Sequence, residues 1–195
     1  MGTISLAEAT PTTLISAESN WNYATTGSDL WSNWSAVTFD TFAWDDATWR
    51  TGQSAFGNAN TYGSVTLEPY NTYWGAGTDL ALQKSIFIDG NLLGALNLKV
   101  AVDNGFIIFV NGAQVAKENA ELFTNYWEYN INIASSYFHA GENTISVFAE
   151  DHGGLTYFDM QLTADVQPVP EPATMLLFGT GLVGLVGAGL KRRRK

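Results

Sequence analysis

A chain of 195 residues with no cysteine cannot build a disulfide framework, a thiolate metal site or a cysteine nucleophile. Its charge is split: through Gln167 there are 18 Asp and Glu against Arg50, Lys84, Lys99 and Lys117, which makes the body about −14, whereas residues 191–195 are all basic. So acidic a body is repelled by phosphate backbones, which excludes nucleic acid as a partner and leaves Ca²⁺ or neutral glycans compatible with it.

Residues 1–11 are polar and read as a flexible N-terminus, and 12–16 as a first strand. Trp21, Tyr23, Trp31, Trp34, Trp44 and Trp49 follow, separated by Ser, Thr, Asn, Gly and Asp, a composition that reads as loops pinned by large side chains. Asp45 and Asp46 fit a turn in which carboxylates bond nearby backbone amides. Residues 58–81 read as a long connection with a short strand at 65–67, and 82–88 as a strand closed by Asp89-Gly90-Asn91.

Leu96, Leu98, Val100 and Val102 alternate with Asn97, Lys99 and Ala101, the period of a half-buried strand. Asn104-Gly105 reads as a tight turn into 106–110, a run apolar at every position and therefore covered on both faces. Asn111-Gly112 turns the chain again into 113–117, so the expectation is a three-stranded antiparallel meander with 106–110 inside a sheet. After a connection at 118–127, residues 128–133 alternate again, 134–140 fit one helical turn, 144–149 form a strand, 150–154 a polar loop and 155–163 a last strand. Short strands, tight turns and almost no regular helix predict an all-β fold, an antiparallel β-sandwich over 12–165.

Residues 166–172 form a Pro-rich linker in which Pro170 and Pro172 flank Glu171. The next 18 residues, 173–190, carry no charge, and at 1.5 Å per residue a helix of that length is about 27 Å long, close to the hydrocarbon thickness of a bilayer. A single transmembrane helix is predicted there. Lys191, Arg192, Arg193, Arg194 and Lys195 form its basic stop, which stays on the cytoplasmic side and leaves the body facing outward.

Val169-Pro170-Glu171-Pro172, a glycine-rich apolar segment and a basic end, in that order, resemble the PEP-CTERM sorting signal of exported bacterial proteins. The resemblance implies secretion, recognition by an exosortase-type membrane protease, cleavage near the motif and delivery to the cell surface or an extracellular polysaccharide matrix. Residues 1–20 hold neither a basic n-region nor an apolar run of leader length, so a leader outside this sequence is expected. The body resembles the galactose-binding-like jelly-roll domains of carbohydrate-active and surface proteins. The likeness is carried by Trp21-x-Tyr23, Trp44-Asp45-Asp46-x-x-Trp49-x-x-Gly52 followed by Phe56-Gly57, Asp103-Asn104-Gly105-Phe106-x-x-Phe109-Val110-Asn111-Gly112, and Gly141-x-Asn143-x-Ile145-x-Val147. It implies a jelly roll and a carbohydrate-binding role, and in many members a structural Ca²⁺.

Few constellations carry chemistry. Gly179, Gly181 and Gly184 match the dinucleotide fingerprint but stand inside the apolar segment, where no strand precedes them and no pyrophosphate could reach. Neither His139 nor His152 is framed by a nucleophile-elbow serine, so no triad is expected and the chain reads as a non-enzyme. Glu150 and Asp151 are the candidate Ca²⁺ ligands, with a solvated loop as the other reading. Trp74, Tyr126 and Trp127 lie in loops and are the candidates for stacking on sugar rings, with core packing as the alternative. The functional expectation is an exported, non-catalytic, carbohydrate-binding sandwich. The alternatives are a structural, self-associating matrix protein and, third, an accessory or catalytic domain of a glycoside hydrolase, which would need two carboxylates about 5–10 Å apart across a cleft.

Overall fold

The computed structural model describes residues 10–26, 31–119, 123 and 125–167, and among them strands dominate. In chain order these are β1 (Thr10–Ile15), β2 (Asn20–Thr26), β3 (Arg50–Gln53), β4 (Phe56–Gly57), β5 (Thr61–Tyr62), β6 (Val65–Thr66), β7 (Thr72–Tyr73), β8 (Asp79–Ile88), β9 (Asn91–Leu92), β10 (Leu96–Asp103), β11 (Gly105–Val110), β12 (Ala113–Asn119), β13 (Tyr129–Ile133), β14 (Gly141–Glu150) and β15 (Tyr157–Gln167). One sheet runs β13-β10-β15-β4-β7, with β1 and β9 also paired to β15. The other runs β12-β11-β14-β8-β2-β3, and β5 with β6 makes a small hairpin. Pairing is antiparallel except between β4 and β7.

Period-two alternation decides what lies between the sheets. Leu98, Val100 and Val102 of β10 and Phe158, Met160 and Leu162 of β15 point inward from one sheet; Leu80 and Leu82 of β8, Phe106, Ile108 and Val110 of β11, and Ile145 and Val147 of β14 point inward from the other. All of them are essentially inaccessible to water. The outer face of the β8–β11–β14 sheet is also covered. Ala81, Ile107, Phe109 and Phe148 lie under a roof built by Trp34, Val37, Trp44, Phe39, Phe42 and Trp49. Trp44 packs 4.9 Å from the Phe148 ring and donates its indole N–H to the Phe39 carbonyl at 2.8 Å, so the roof is held by its own backbone as well as by apolar contact. The continuous apolar run of β11 is thereby explained: both faces are buried, and β11 sits between β12 and β14.

Three expectations are corrected. The turn at Asn111-Gly112 forms, with φ of +51° and +81°, and joins β11 to β12 as a hairpin. Asn104-Gly105 does not form one: β10 and β11 belong to different sheets, and the chain crosses between them, so there is no three-stranded meander. Asn104 donates its N–H to the Glu150 carbonyl at 2.8 Å, and Gly105 is required because a Cβ there would collide with Glu150 Oε1 and the Glu118 carbonyl. Residues 20–26, read as loop from their Trp, Asn and Thr content, form β2 instead, because pairing with β3 on one side and β8 on the other satisfies their backbone and buries Trp21, Ala24 and Thr26. Finally, β15 continues to Gln167, two residues into the stretch read as linker, since Val166 and Gln167 pair with Leu92 and Asn91. The predicted transmembrane helix at 173–190, the rest of the linker and the basic end lie outside the described residues; among the described ones no helix is long and apolar enough to cross a membrane.

Candidate functional site

On the outer face of the β10–β15 sheet, the alternation that sends Phe158 and Met160 into the core sends Tyr157 and Asp159 outward. Tyr157 Oη donates to the Glu68 carbonyl at 2.9 Å and so pins the segment around Leu67 onto the sheet. Asn71 donates its side-chain N–H to the Ser54 carbonyl at 2.7 Å, and the Ser54 hydroxyl donates to the Ala17 carbonyl at 2.6 Å. These bonds hold three distant chain segments around one cleft of about 370 Å³, lined by Ala17, Glu18, Ala55, Glu68, Pro69, Asn71, Tyr126 and Asp159.

Asp159 forms the floor. It is only 2 % exposed, its Oδ2 accepts from Tyr126 Oη at 3.2 Å, and its Oδ1 accepts the Met160 N–H at 2.9 Å. Burial pushes its carboxyl up to about 8, with the Glu18 charge adding to the rise, although the Tyr126, Met160 and Ser54 donors oppose it. Asp159 therefore keeps its proton to a higher pH than an ordinary carboxyl does. The Tyr126 hydroxyl is raised by burial and by Asp159, and stays a neutral donor. Trp127, in the left-handed backbone region at φ +58°, lays its ring 4.3 Å from the Tyr126 ring and is half-buried. The segment that supplies Glu68, Pro69 and Asn71 also carries Tyr62, Tyr70 and Tyr73, all exposed.

Of the three aromatic candidates, the structure brings Tyr126 and Trp127 together beside the cleft. Trp74 is corrected: it is fully buried in the inner core and donates its indole N–H to the Thr78 carbonyl at 2.7 Å, so no sugar can reach its faces. Glu18, Glu68, Asn71 and Asp159 were missed by the sequence reading. One signal pointed to Asp159: a carboxylate inside the apolar strand Tyr157-Phe158-Asp159-Met160 is costly to bury unless it has partners.

Glu150 and Asp151 lie at the end of the sandwich where the chain crosses between sheets, buried with Asp79, Asp103 and Asn104. Asp79 Oδ1 accepts the Asp151 N–H at 3.2 Å, Asp151 Oδ2 accepts the Gly77 N–H, and Asn104 Oδ1 accepts the His152 N–H at 2.9 Å. His152 Nε2 lies 3.5 Å from Glu150 Oε2. These oxygens close loop ends, whereas Ca²⁺ needs six to eight oxygens converging on one point. Among the described residues no group of three or more His, Cys, Asp or Glu side chains is placed to hold a metal ion. Burial, and then the Asp151 charge, push the Asp103 carboxyl up to about 7.

Comparison with known proteins adds two findings. Residues 168–195 match the PEP-CTERM protein-sorting motif. Among solved structures the chain resembles the β-glucuronidase of Ruminococcus gnavus. In its complex with a C6-substituted uronic isofagomine the identity is 9%, the TM-score 0.50, and the likeness covers 85% of this chain and 30% of that one. In its complex with D-glucuronic acid the values are 9%, 0.50, 85% and 31%. An α-L-rhamnosidase of Streptomyces avermitilis shares 22% identity over 46% of this chain and 9% of its own, at a TM-score of 0.38. This chain thus spans about a third of the length of the β-glucuronidase, and the likeness is one of fold. No curated protein matches it. The motif is a signal for processing by exosortase, a membrane protein, and implies export; the chain therefore joins a β-sandwich body to a PEP-CTERM sorting motif.

Proposed function

We propose that the body is a non-catalytic carbohydrate-binding module, delivered by its sorting motif to the cell surface or an extracellular polysaccharide. The observation that carries this reading is the cleft in which Tyr126 and Asp159 meet: an aromatic ring beside Asn71, Glu18 and Glu68 offers an apolar face and many hydrogen-bond acceptors in one concavity, which is what a polyol requires. The fold likeness to a β-glucuronidase solved with D-glucuronic acid supports a carbohydrate context. The charge of this cleft points to a different sugar class, because Glu18 and Glu68 repel uronates and accept from hydroxyl and ammonium groups. Neutral and amino sugars are its ligands.

Glycoside hydrolysis is the second reading, favoured by the raised Asp159 carboxyl sharing a cleft with two further carboxylates. Against it, both Asp159 oxygens are already engaged by Tyr126 and Met160 at the floor of the cleft, so the acid is not presented to a leaving-group oxygen. A glycan array probed with the full chain tests both. Retention of neutral or amino-sugar polymers, weakened at least tenfold by Tyr126→Ala and without release of reducing ends, is expected. Indifference to Tyr126→Ala would refute the cleft as the site, absence of any retained glycan would leave the self-associating matrix protein, and released reducing ends would restore the hydrolase.

A further inference from the structure

Gln167, the last described residue of the sandwich, pairs with Asn91. The loop carrying Asn91 presses so close that a Cβ on Gly90, at φ +137°, would stand 2.5 Å from the Gln167 carbonyl oxygen. That loop and residues 135–140 surround an open hollow of about 290 Å³, lined by Ile88, Leu92, Phe138 and His139 among others. Three large apolar side chains stand exposed beside it: Phe87 at 69%, next to Ile88; Leu93 at 44%, next to Leu92; and Tyr137 at 41%, next to Phe138. Phe87 lies on the sheet face that the tryptophan roof covers elsewhere, but here its neighbour across the ladder is Glu142 and nothing apolar shields it. An apolar set of this kind at one end of a domain marks an interaction surface.

What meets this surface follows from the length of chain that begins there. Five residues, 168–172, separate Gln167 from the uncharged run 173–190, and five extended residues span at most about 18 Å. We propose that Phe87, Leu93 and Tyr137 form a membrane-contacting face, seated in the headgroup boundary of the bilayer that receives residues 173–190; this rests on reading that run as a membrane span, and on nothing proposed for the cleft. Aromatic and leucine side chains suit the boundary between headgroups and acyl chains. Glu142 stands opposite Phe87 across the ladder, Asp165 accepts the Leu93 N–H at its carbonyl, His139 lines the hollow and Asp89 follows Ile88 in the chain, so the lipid this face fits is zwitterionic rather than anionic. The glycan cleft is kept clear of the membrane, because Asp159 lies eight residues from Gln167 along β15, about 26 Å.

The absence of native cysteine makes the test direct. The full chain carrying Leu93→Cys, or as a distal control Tyr62→Cys, is labelled with an environment-sensitive fluorophore and reconstituted into phosphatidylcholine vesicles containing headgroup-nitroxide lipid. Quenching about threefold stronger at position 93 than at 62, lost when Phe87 and Tyr137 are both changed to Ser, is expected. Equal quenching at the two positions, in vesicles whose protein resists carbonate extraction, overturns the contact while keeping the span. Protein released by carbonate overturns the span and the contact with it. A signal at position 93 that appears only after an exosortase is added overturns lipid as the occupant.

Discussion

Asp103 and Asp159 are acids whose ordinary range lies near 4 but which the folded protein holds at about 7 and about 8, in both cases mainly by burial. The native state therefore keeps protons that the unfolded chain gives up between about pH 4 and pH 8, and the contribution of these two carboxyls to stability is full below the lower limit and lost as pH rises through the upper. Asp103 is buried and already feels the Asp151 charge, so its ionisation would add a second charge beside another buried carboxylate. The thermal midpoint should fall between pH 5 and pH 8.5, and Asp103→Asn should flatten the upper part of that fall. A midpoint that rises over this interval in calorimetry would contradict the assignment.

Among the strands, β11 binds both layers of core: Phe106, Ile108 and Val110 face the opposite sheet, while Ile107 and Phe109 face the roof. Ile108→Asp places an unpaired carboxylate between the sheets at a cost of several kcal/mol, comparable with the roughly 5–15 kcal/mol that holds a domain together. It should abolish the cooperative unfolding transition seen by circular dichroism, whereas Tyr62→Asp, on an exposed strand, should leave the transition within a few degrees. The continuous apolar run that reveals β11 was legible because local composition alone requires two covered faces. The strand β2 was not, because Asn20, Asn22 and Thr25 look like loop until β3 and β8 pair with them, and the crossing at Asn104 looked like a hairpin because the hydrogen bond that redirects it comes from Glu150. The cleft was legible only in Tyr126; Glu18, the segment from Glu68 to Asn71, and Asp159 are separated by tens of residues and meet through hydrogen bonds to Ala17, Ser54 and Glu68 that no spacing announces.

At the scale of the molecule, the sandwich has a polarity set by β15. Its first residues, Tyr157 and Phe158, pair with β4 near the cleft, and its last, Val166 and Gln167, pair with β9 where the tail begins. Between them it is flanked on both sides, with seven residues in register with β10 and five with β1. The strand acts as a tie rod. On the proposed reading, a load carried between the tail and a polymer in the cleft runs along the axis of β15, and antiparallel hydrogen bonds lie perpendicular to that axis. They are therefore stressed together in shear instead of being peeled one at a time. Pulled in a force spectrometer between position 62 and Gln167, the sandwich should rupture at a higher force than when pulled across the edge strand β12 at position 115 against position 84. Equal rupture forces would mean that β15 confers no mechanical direction on the fold.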